Sequence, residues 1–436
     1  MKLTFYRMAT TLGGPLIRLY LNQRLKRGKE DPARFDERLG HASQARPTGD
    51  LVWLHAASIG ESLSILPLIE RIQIEHPNWT VLVTTGTVTS AHLMTARLPQ
   101  GAIHQYVPVD CVSYVRRFLE HWRPDLALWV ESEFWPNLVI ETRARAVPMV
   151  VLNGRMSDGS YAKWQKNRAM IARILAAFPI ILAQSDTDGE RFRALGAKQV
   201  RVPGNLKFAS PPLPVDDAML EHLKMQIGAR PVWLAASTHP GEEELCAATH
   251  AALHERQPGL LTIIVPRHPE RGNDICRNLR ERGLKVAQRS AQEDITPDTA
   301  IYVADTLGEL GVFFRLCSVV FIGKTLAGGG GQNPIEPAQL SCALVFGPDM
   351  SNFADVAQGL LACAGARRVQ DASALEGTIS DLLANPASCT QMTENAEAFA
   401  RSQAGVLDRV MEDLLLFFKN PQQNDPRQDR QTHART

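Results

Sequence analysis

Residues 323–338, Gly-Lys-Thr-Leu-Ala-Gly-Gly-Gly-Gly-Gln-Asn-Pro-Ile-Glu-Pro-Ala, join a run of glycines to a carboxylate set between two prolines. Glycine lacks a Cβ and tolerates φ > 0, so Gly328–Gly331 can bring bare backbone N–H groups against an anion. A following helix N-terminus adds a favourable dipole. The loop is expected to receive a phosphate, with Glu336 suited to a ribose diol; a merely flexible glycine turn is the plainer alternative. Gly323-Lys324-Thr325 does not make a P-loop, because the position where that motif requires its first glycine holds Ser318.

Five further groups place acids and cations beside small or loop-fixing residues. In His55-Ala-Ala-Ser-Ile-Gly-Glu61, Glu61 is placed for general-base work at a helix N-terminus, whose dipole is expected to keep it ionised. Ser58 and Glu61 equally have the Ser-x-x-Glu spacing of a capping box, which needs no catalysis. Glu131-Ser-Glu-Phe-Trp-Pro-Asn137 sets two carboxylates after an apolar run, a pattern closer to a site than to a solvated face. In Pro203-Gly-Asn-Leu-Lys-Phe208, Lys207 either holds an anion or is an exposed turn lysine. Arg267 in Val265-Pro-Arg-His-Pro-Glu-Arg271 can grip phosphate or carboxylate bidentately. Asp305-Thr-Leu-Gly-Glu-Leu310 offers backbone groups near Gly308, or acids that cap a helix. Asp186-Thr-Asp188 has the form of a metal-holding pair but opens a predicted helix, where capping explains it. The histidines and cysteines lack zinc spacing, so no metal is expected.

These groups fall at the ends of short apolar runs, as the ligand loops of a parallel sheet do. Leu51–Leu54, Thr80–Thr84, Leu126–Val130, Pro148–Leu152 and Pro179–Ala183 are predicted strands, separated by stretches of helical period such as Leu63, Leu66, Ile69 and Ile72. A second series, Val232–Ala236, Leu261–Val265, Ala300–Val303, Val319–Ile322 and Ala343–Phe346, follows the proline cluster Ser210–Pro214, the predicted linker. Two doubly wound α/β domains are expected, with a cleft between the carboxyl ends of their strands.

A length of 436 residues suits two or three domains, and 44% hydrophobic with 21% charged residues are globular values. The net charge of +1 argues against bulk nucleic-acid binding. Residues 1–30 nevertheless hold Lys2, Arg7, Arg18, Arg24, Lys26, Arg27 and Lys29 against Glu30 alone. The apolar stretch Leu3–Leu21 is interrupted by Arg7 and Arg18 and weakened by Gly13-Gly-Pro15, short of the roughly 18 uninterrupted apolar residues of a spanning helix. It is expected to lie in an anionic membrane surface, the alternative being an amphipathic helix packed on its own domain. No cleavage site marks a secretory signal. Seven cysteines without Cys-x-x-Cys spacing fit reduced core residues of a cytosolic protein, and the polar stretch from Asn420 reads as a disordered tail.

In order and spacing, these residues resemble the 3-deoxy-D-manno-octulosonic acid (Kdo) transferases of lipopolysaccharide biosynthesis. The likeness runs from Arg27–Glu30 through His55–Glu61, Glu131–Asn137, Asn153–Ser157, Gly204–Phe208, Ser237–Glu243, Arg267–Arg271 and Asp305–Leu310 to Asn333–Ala338. The resemblance implies a GT-B glycosyltransferase with two Rossmann-like domains facing an interdomain cleft. It also implies transfer of Kdo from CMP-Kdo to the lipid A precursor (lipid IVA) at the cytoplasmic face of the inner membrane, with inversion and without a metal or other cofactor. By matching positions, Glu61 is the implied general base, and Glu131 and Lys207 stabilise the transition state. CMP would meet Pro266, Arg267, Leu307, Gly308, Glu309, Asn333, Pro334, Ile335 and Glu336. The implied division is a membrane-associated segment 1–30, an acceptor-binding domain 31–207, a nucleotide-sugar domain 208–419 whose last helix can pack back on the first, and the tail 420–436. One departure stands out: the family's Gly-Gly-His-Asn reads Gly330-Gly331-Gln332-Asn333 here, and glutamine hydrogen-bonds but does not titrate near neutral pH. Another GT-B nucleotide-sugar enzyme, a UDP-sugar transferase or epimerase, is the competing enzymatic reading. A membrane-associated nucleotide-sugar-binding protein is the non-enzymatic one.

Overall fold

The computed structural model describes residues 2–419, so the expected tail 420–436 lies outside the described residues. The chain divides into two compact units, one running to Ser210 and resuming at Gly405, the other Pro211–Ala404. The break falls between Ser210 and Pro211, inside the predicted proline linker.

The first unit holds a seven-stranded, all-parallel sheet made of β1 (Asp50–His55), β2 (Trp79–Thr85), β3 (Ile103–Tyr106), β4 (Leu126–Val130), β5 (Met149–Gly154), β6 (Ile180–Ala183) and β7 (Val200–Arg201). Its order is β3-β2-β1-β4-β5-β6-β7. Interior strands are buried on both faces, which is why β4 reads Leu-Ala-Leu-Trp-Val without polar alternation. Trp53 of β1 packs against Trp129 of β4 and Phe118 of a flanking helix, with ring centroids 5.3 and 5.0 Å apart. The second unit repeats the plan with β8 (Val232–Thr238), β9 (Leu261–Pro266), β10 (Val286–Gln288), β11 (Ile301–Val303), β12 (Val319–Ile322), β13 (Ala343–Phe346) and β14 (Ala366–Arg368), in the order β10-β11-β9-β8-β12-β13-β14.

Each sheet begins in its middle and grows outward in both directions. The strand order therefore reverses between β1 and β4 in the first sheet and between β8 and β12 in the second. In doubly wound sheets the loops leaving these strands flank the crevice where ligands bind.

At the amino terminus, helices Lys2–Leu12 and Gly14–Lys26 pack on the first unit in an inverted sense. The polar side of the first helix faces the protein: the Tyr6 hydroxyl donates to Asp110 (2.9 Å), Asn137 donates to the Thr10 hydroxyl (2.9 Å), and Arg7 pairs with Glu141. Apart from Leu3 and Leu21, which are buried, the large apolar side chains of the two helices mostly face solvent. Phe5, Leu12, Leu16 and Leu19 are 71–77% exposed, and Met8 and Tyr20 are also exposed. No helix among the described residues is long and apolar enough to cross a membrane. The last helix, Val406–Lys419, returns to the first unit, where Arg409 donates to the Pro203 carbonyl (2.7 Å) and Phe418 stacks on His76 (4.2 Å between centroids).

Candidate active site

In the first unit, Glu61, Glu131 and Lys207 converge on the β1/β4 crevice. Glu61 stands in the helix Ile59–Ser64, which follows β1 directly. The capping box predicted for Ser58 and Glu61 forms: the Glu61 N–H donates to Ser58 Oγ (3.3 Å), the Ser58 hydroxyl donates to Glu61 Oε1 (2.7 Å), and Oε2 accepts the Ala57 N–H (2.8 Å). These bonds leave free lone pairs on both oxygens. The expectation that the helix dipole keeps Glu61 ionised does not hold. Burial and the nearby charge of Glu131, with a smaller push from Glu133, outweigh the capping bonds and raise its pKa to about 7.

Glu131 is the first residue beyond β4 and adopts φ 59°, in the left-handed region that side chains disfavour. Its Oε1 meets Lys207 Nζ at 3.2 Å, with both side chains less than one-fifth exposed. Lys207 reaches it from the turn Leu206–Ala209, which also touches the helix carrying Glu61. Two asparagines hold that turn. Asn153, at the end of β5 with φ 50°, accepts the Leu206 N–H (2.9 Å), and Asn205 accepts the Lys207 N–H (3.0 Å). Lys207 is thus not the exposed turn lysine of the plainer reading. Glu133 is raised by burial and then by Glu131. Asn137 is structural: its N–H and that of Leu138 donate to the Asp110 carboxylate (3.1 and 2.8 Å). Ser185 caps the helix Asp186–Ala194, its Oγ accepting the Asp188 N–H (3.2 Å) and its hydroxyl donating to the Asp188 carboxylate (2.7 Å), which also accepts the Met156 N–H (2.6 Å). No cluster of metal-ligating side chains occurs among the described residues.

In the second unit, the glycine loop departs from its expected role. The N–H groups of Gly329 and Gly330 donate to one oxygen of Asp349 (2.8 and 2.9 Å), that of Gly331 to the Lys324 carbonyl (2.9 Å) and that of Gln332 to the Gly323 carbonyl (3.2 Å). All four glycines do adopt positive φ. These amides nevertheless bind either Asp349, from the loop after β13, or carbonyls of their own loop, and are not bare for a phosphate. Earlier in the loop, the N–H groups of Lys324, Thr325 and Leu326 converge on the buried Glu242 carboxylate (2.6, 2.9 and 3.2 Å), which also accepts the His239 N–H (3.0 Å). A carboxylate from the first residue of the helix after β8, Glu242–His254, thus fills the anion nest of the loop after β12. The two segments touch closely: a Cβ on Gly323 would lie 2.3 Å from the Ser237 carbonyl oxygen.

The expected nucleotide residues line the same end of this sheet. Arg267 is exposed just past β9, its N–H donating to the Thr238 carbonyl (3.0 Å), and Pro266 is buried at the strand's end. Glu336 is half-buried in the helix Ile335–Gln339. Burial raises its pKa, while an Asn333 hydrogen bond and the Arg267 charge oppose the rise. Asn333 also accepts the Ile335 N–H (3.0 Å), fixing the helix start next to buried Pro334. Leu307 and Gly308 lie open beyond β11, the strand beside β9, and Gly308 has φ 84° with free space around it. Glu309 is gripped by Arg289 through Nε and Nη2 (3.2 Å each), and the Thr306 hydroxyl donates to it; it caps no helix amide. Gln332 meets His239 (Nε2 to Nε2, 2.9 Å), whose pKa is lowered by burial and by Lys324, His268 and Arg267. His239 and Glu242 lie in the Ser237–Glu243 run of the family likeness but carry no assigned role in the sequence, and Asp349 stands in none of its motifs. The signal for two of them was the Thr238-His-Pro-Gly-Glu242 run leaving an apolar strand.

A family model for 3-deoxy-D-manno-octulosonic-acid transferase (kdotransferase) matches residues 33–210. The chain is 36% identical to the 3-deoxy-D-manno-octulosonic acid transferase of Rickettsia felis, over 86% of this chain and 80% of that one. It is 30% identical to that of Haemophilus influenzae, over 94% and 97%. The chain belongs to the Kdo transferase family.

As a Kdo transferase it is a glycosyltransferase, and solved structures agree on its architecture. UDP-GlcNAc 2-epimerase from Neisseria meningitidis aligns with a TM-score of 0.60 at 13% identity, over 84% of this chain and 99% of that one. A glycosyltransferase from Rickettsia africae aligns at 0.57 and 10%, over 87% and 100%. At such identities the likeness concerns the fold, the two-domain α/β plan of GT-B enzymes. In this Kdo transferase the paired acids and Lys207 belong to the first unit, and the loops expected to bind nucleotide belong to the second.

Proposed function

We propose that this Kdo transferase moves Kdo from CMP-Kdo to the lipid A precursor lipid IVA, with inversion, at the cytoplasmic face of the inner membrane. The observation that carries the mechanism is the state of Glu61: a buried carboxyl with a pKa of about 7 beside the Glu131–Lys207 pair. A base poised near neutrality is efficient at removing a hydroxyl proton. Glu61 takes the proton of the acceptor hydroxyl as its oxygen bonds to the anomeric carbon. The bond from that carbon to the CMP phosphate breaks on the opposite face, and its electron pair leaves with the phosphate. Positive charge builds on the sugar at this point, and Glu131 stabilises it, with Lys207 balancing the anionic groups of the donor. Pro266, Arg267, Leu307, Gly308, Glu309 and Asn333–Glu336 hold CMP, with Arg267 on the phosphate and Glu336 on the ribose. The amides of Gly329 and Gly330 take no part, since Asp349 occupies them.

The lipid acceptor resides in a membrane, and the solvent-facing apolar side of the amino-terminal helices is the surface that would bring the enzyme to it.

The test is Glu61→Gln, assayed with CMP-Kdo and lipid IVA by mass spectrometry of the product. Glutamine also suits the third position of a capping box, so the fold is retained while the base is lost. Transfer should be abolished and CMP binding preserved. Wild-type transfer rates in this variant would remove Glu61 from the mechanism, and UDP-sugars accepted in place of CMP-Kdo would overturn the donor.

A further inference from the structure

Lys324 stands at the second crevice. It is the second residue beyond β12, at the switch point, and no hydrogen bond or ion pair of its ammonium occurs among the described residues. Its backbone is held in an unfavourable state, φ 63°, by the bond from its N–H to Glu242. Non-glycine residues kept in this region cluster at functional sites, where the surrounding structure imposes the conformation. The side chain has a bed prepared for it: a Cβ on Gly329 would lie 2.7 Å from Lys324 Cε and 3.2 Å from Cγ. Part of the glycine run thus serves as the floor under a lysine stem.

Arg267 follows β9 and Lys324 follows β12, the two strands that pair with β8, and His239 stands in the loop after β8, where the charges of both cations lower its pKa. The Gln332 amide holds that imidazole by its Nε2. CMP-Kdo carries two anions close together: the phosphate on the anomeric carbon and the carboxylate on the carbon bonded to it. Two neighbouring anions call for two neighbouring cations, each anion bound by a charge-assisted contact. Resting on the proposed use of CMP-Kdo, and with Arg267 assigned to the phosphate, we infer that Lys324 binds the sugar carboxylate of the donor. It thereby selects an acidic sugar over the neutral sugars carried by other nucleotides.

The experiment compares kcat/KM for CMP-Kdo with the inhibition constant of CMP in wild type, Lys324→Gly and Lys324→Arg. Glycine accepts φ 63° without strain and keeps the N–H bonded to Glu242, so the melting temperature should not fall. Lys324→Gly should lower kcat/KM for CMP-Kdo by about tenfold to a hundredfold, the worth of a charged hydrogen bond. It should leave the CMP inhibition constant unchanged, and Lys324→Arg should recover much of the loss. Unchanged kcat/KM overturns the inference. So does a parallel loss of CMP and CMP-Kdo affinity, which would put Lys324 on the phosphate. A wild-type enzyme inactive with CMP-Kdo overturns the proposed function itself, and this inference with it.

Discussion

At the scale of single residues, Glu61 links catalysis to stability. Its pKa rises from an ordinary 4.5 to about 7, so the folded protein holds this proton more tightly than the unfolded chain. Stability from this group is fully present below about pH 4.5 and is lost as pH climbs through 7, because ionisation then occurs in a buried site beside Glu131. The displacement corresponds to something on the order of 3 kcal/mol. Glu61→Gln keeps the shape and the cap without ionising. Calorimetry should find it more stable than wild type at about pH 8, with the advantage gone near pH 4.5. Equal melting temperatures at the alkaline end would mean that Glu61 is not held protonated by its surroundings. The same titration predicts that wild-type kcat/KM rises with pH through about 7, as the base must be ionised to work. A flat profile there would argue against Glu61 as the proton acceptor.

At the scale of elements, the legible strands were those buried on both faces. Every interior strand of both sheets overlaps a predicted apolar run, whereas β3, β7, β10 and β14, all outermost, had no counterpart. Outermost strands pair on one side only and tolerate sequences such as Ile-His-Gln-Tyr or Ala-Arg-Arg, which read as loop. The site motifs were legible as strand-end loops, but partners distant in the chain were not. Nothing local shows that Asp349 takes the amides of Gly329 and Gly330, or that Glu242 takes those of residues 324–326. Nor could the sequence show that Glu131 would pair with Lys207, 76 positions away. The dipole expectation for Glu61 failed for the same reason, since the opposing charge and the burial arrive through the fold. Glu242 is the clearest test at this scale. It satisfies four backbone donors from two loops, and its removal strands them in a buried site. Glu242→Ala should destabilise the protein by about 3–5 kcal/mol, read from chemical denaturation, whereas Glu242→Gln, which retains one acceptor oxygen, should lose less. If both variants lose under about 1 kcal/mol, the nest is solvated and does not organise the crevice.

At the scale of the whole molecule, the amino-terminal helices oppose the usual logic of a soluble fold. An amphipathic helix normally buries its apolar stripe, yet here Tyr6, Arg7 and Thr10 bind the protein while Phe5, Met8, Leu12, Leu16 and Leu19 face outward. Side chains spaced in this way form one contiguous apolar strip, which is unfavourable in water and favourable at the boundary of headgroups and acyl chains. Each buried leucine contributes about 1.5–3 kcal/mol on transfer, so three of them can decide whether the protein partitions at all. Arg18, Arg24, Lys26, Arg27 and Lys29 add attraction to anionic lipid that salt will screen. Deleting the segment would be a poor test, because it also removes the partners of Asp110, Asn137 and Glu141. The triple variant Leu12→Gln, Leu16→Gln, Leu19→Gln changes only exposed side chains, so its melting temperature and CMP binding should match wild type. Flotation with anionic vesicles should fall sharply in the variant at every salt concentration, whereas wild-type binding should weaken with salt but persist through its apolar term. Flotation equal to wild type would show that the apolar strip does not hold the enzyme to lipid, and the route to a membrane-embedded acceptor would have to lie elsewhere on the molecule.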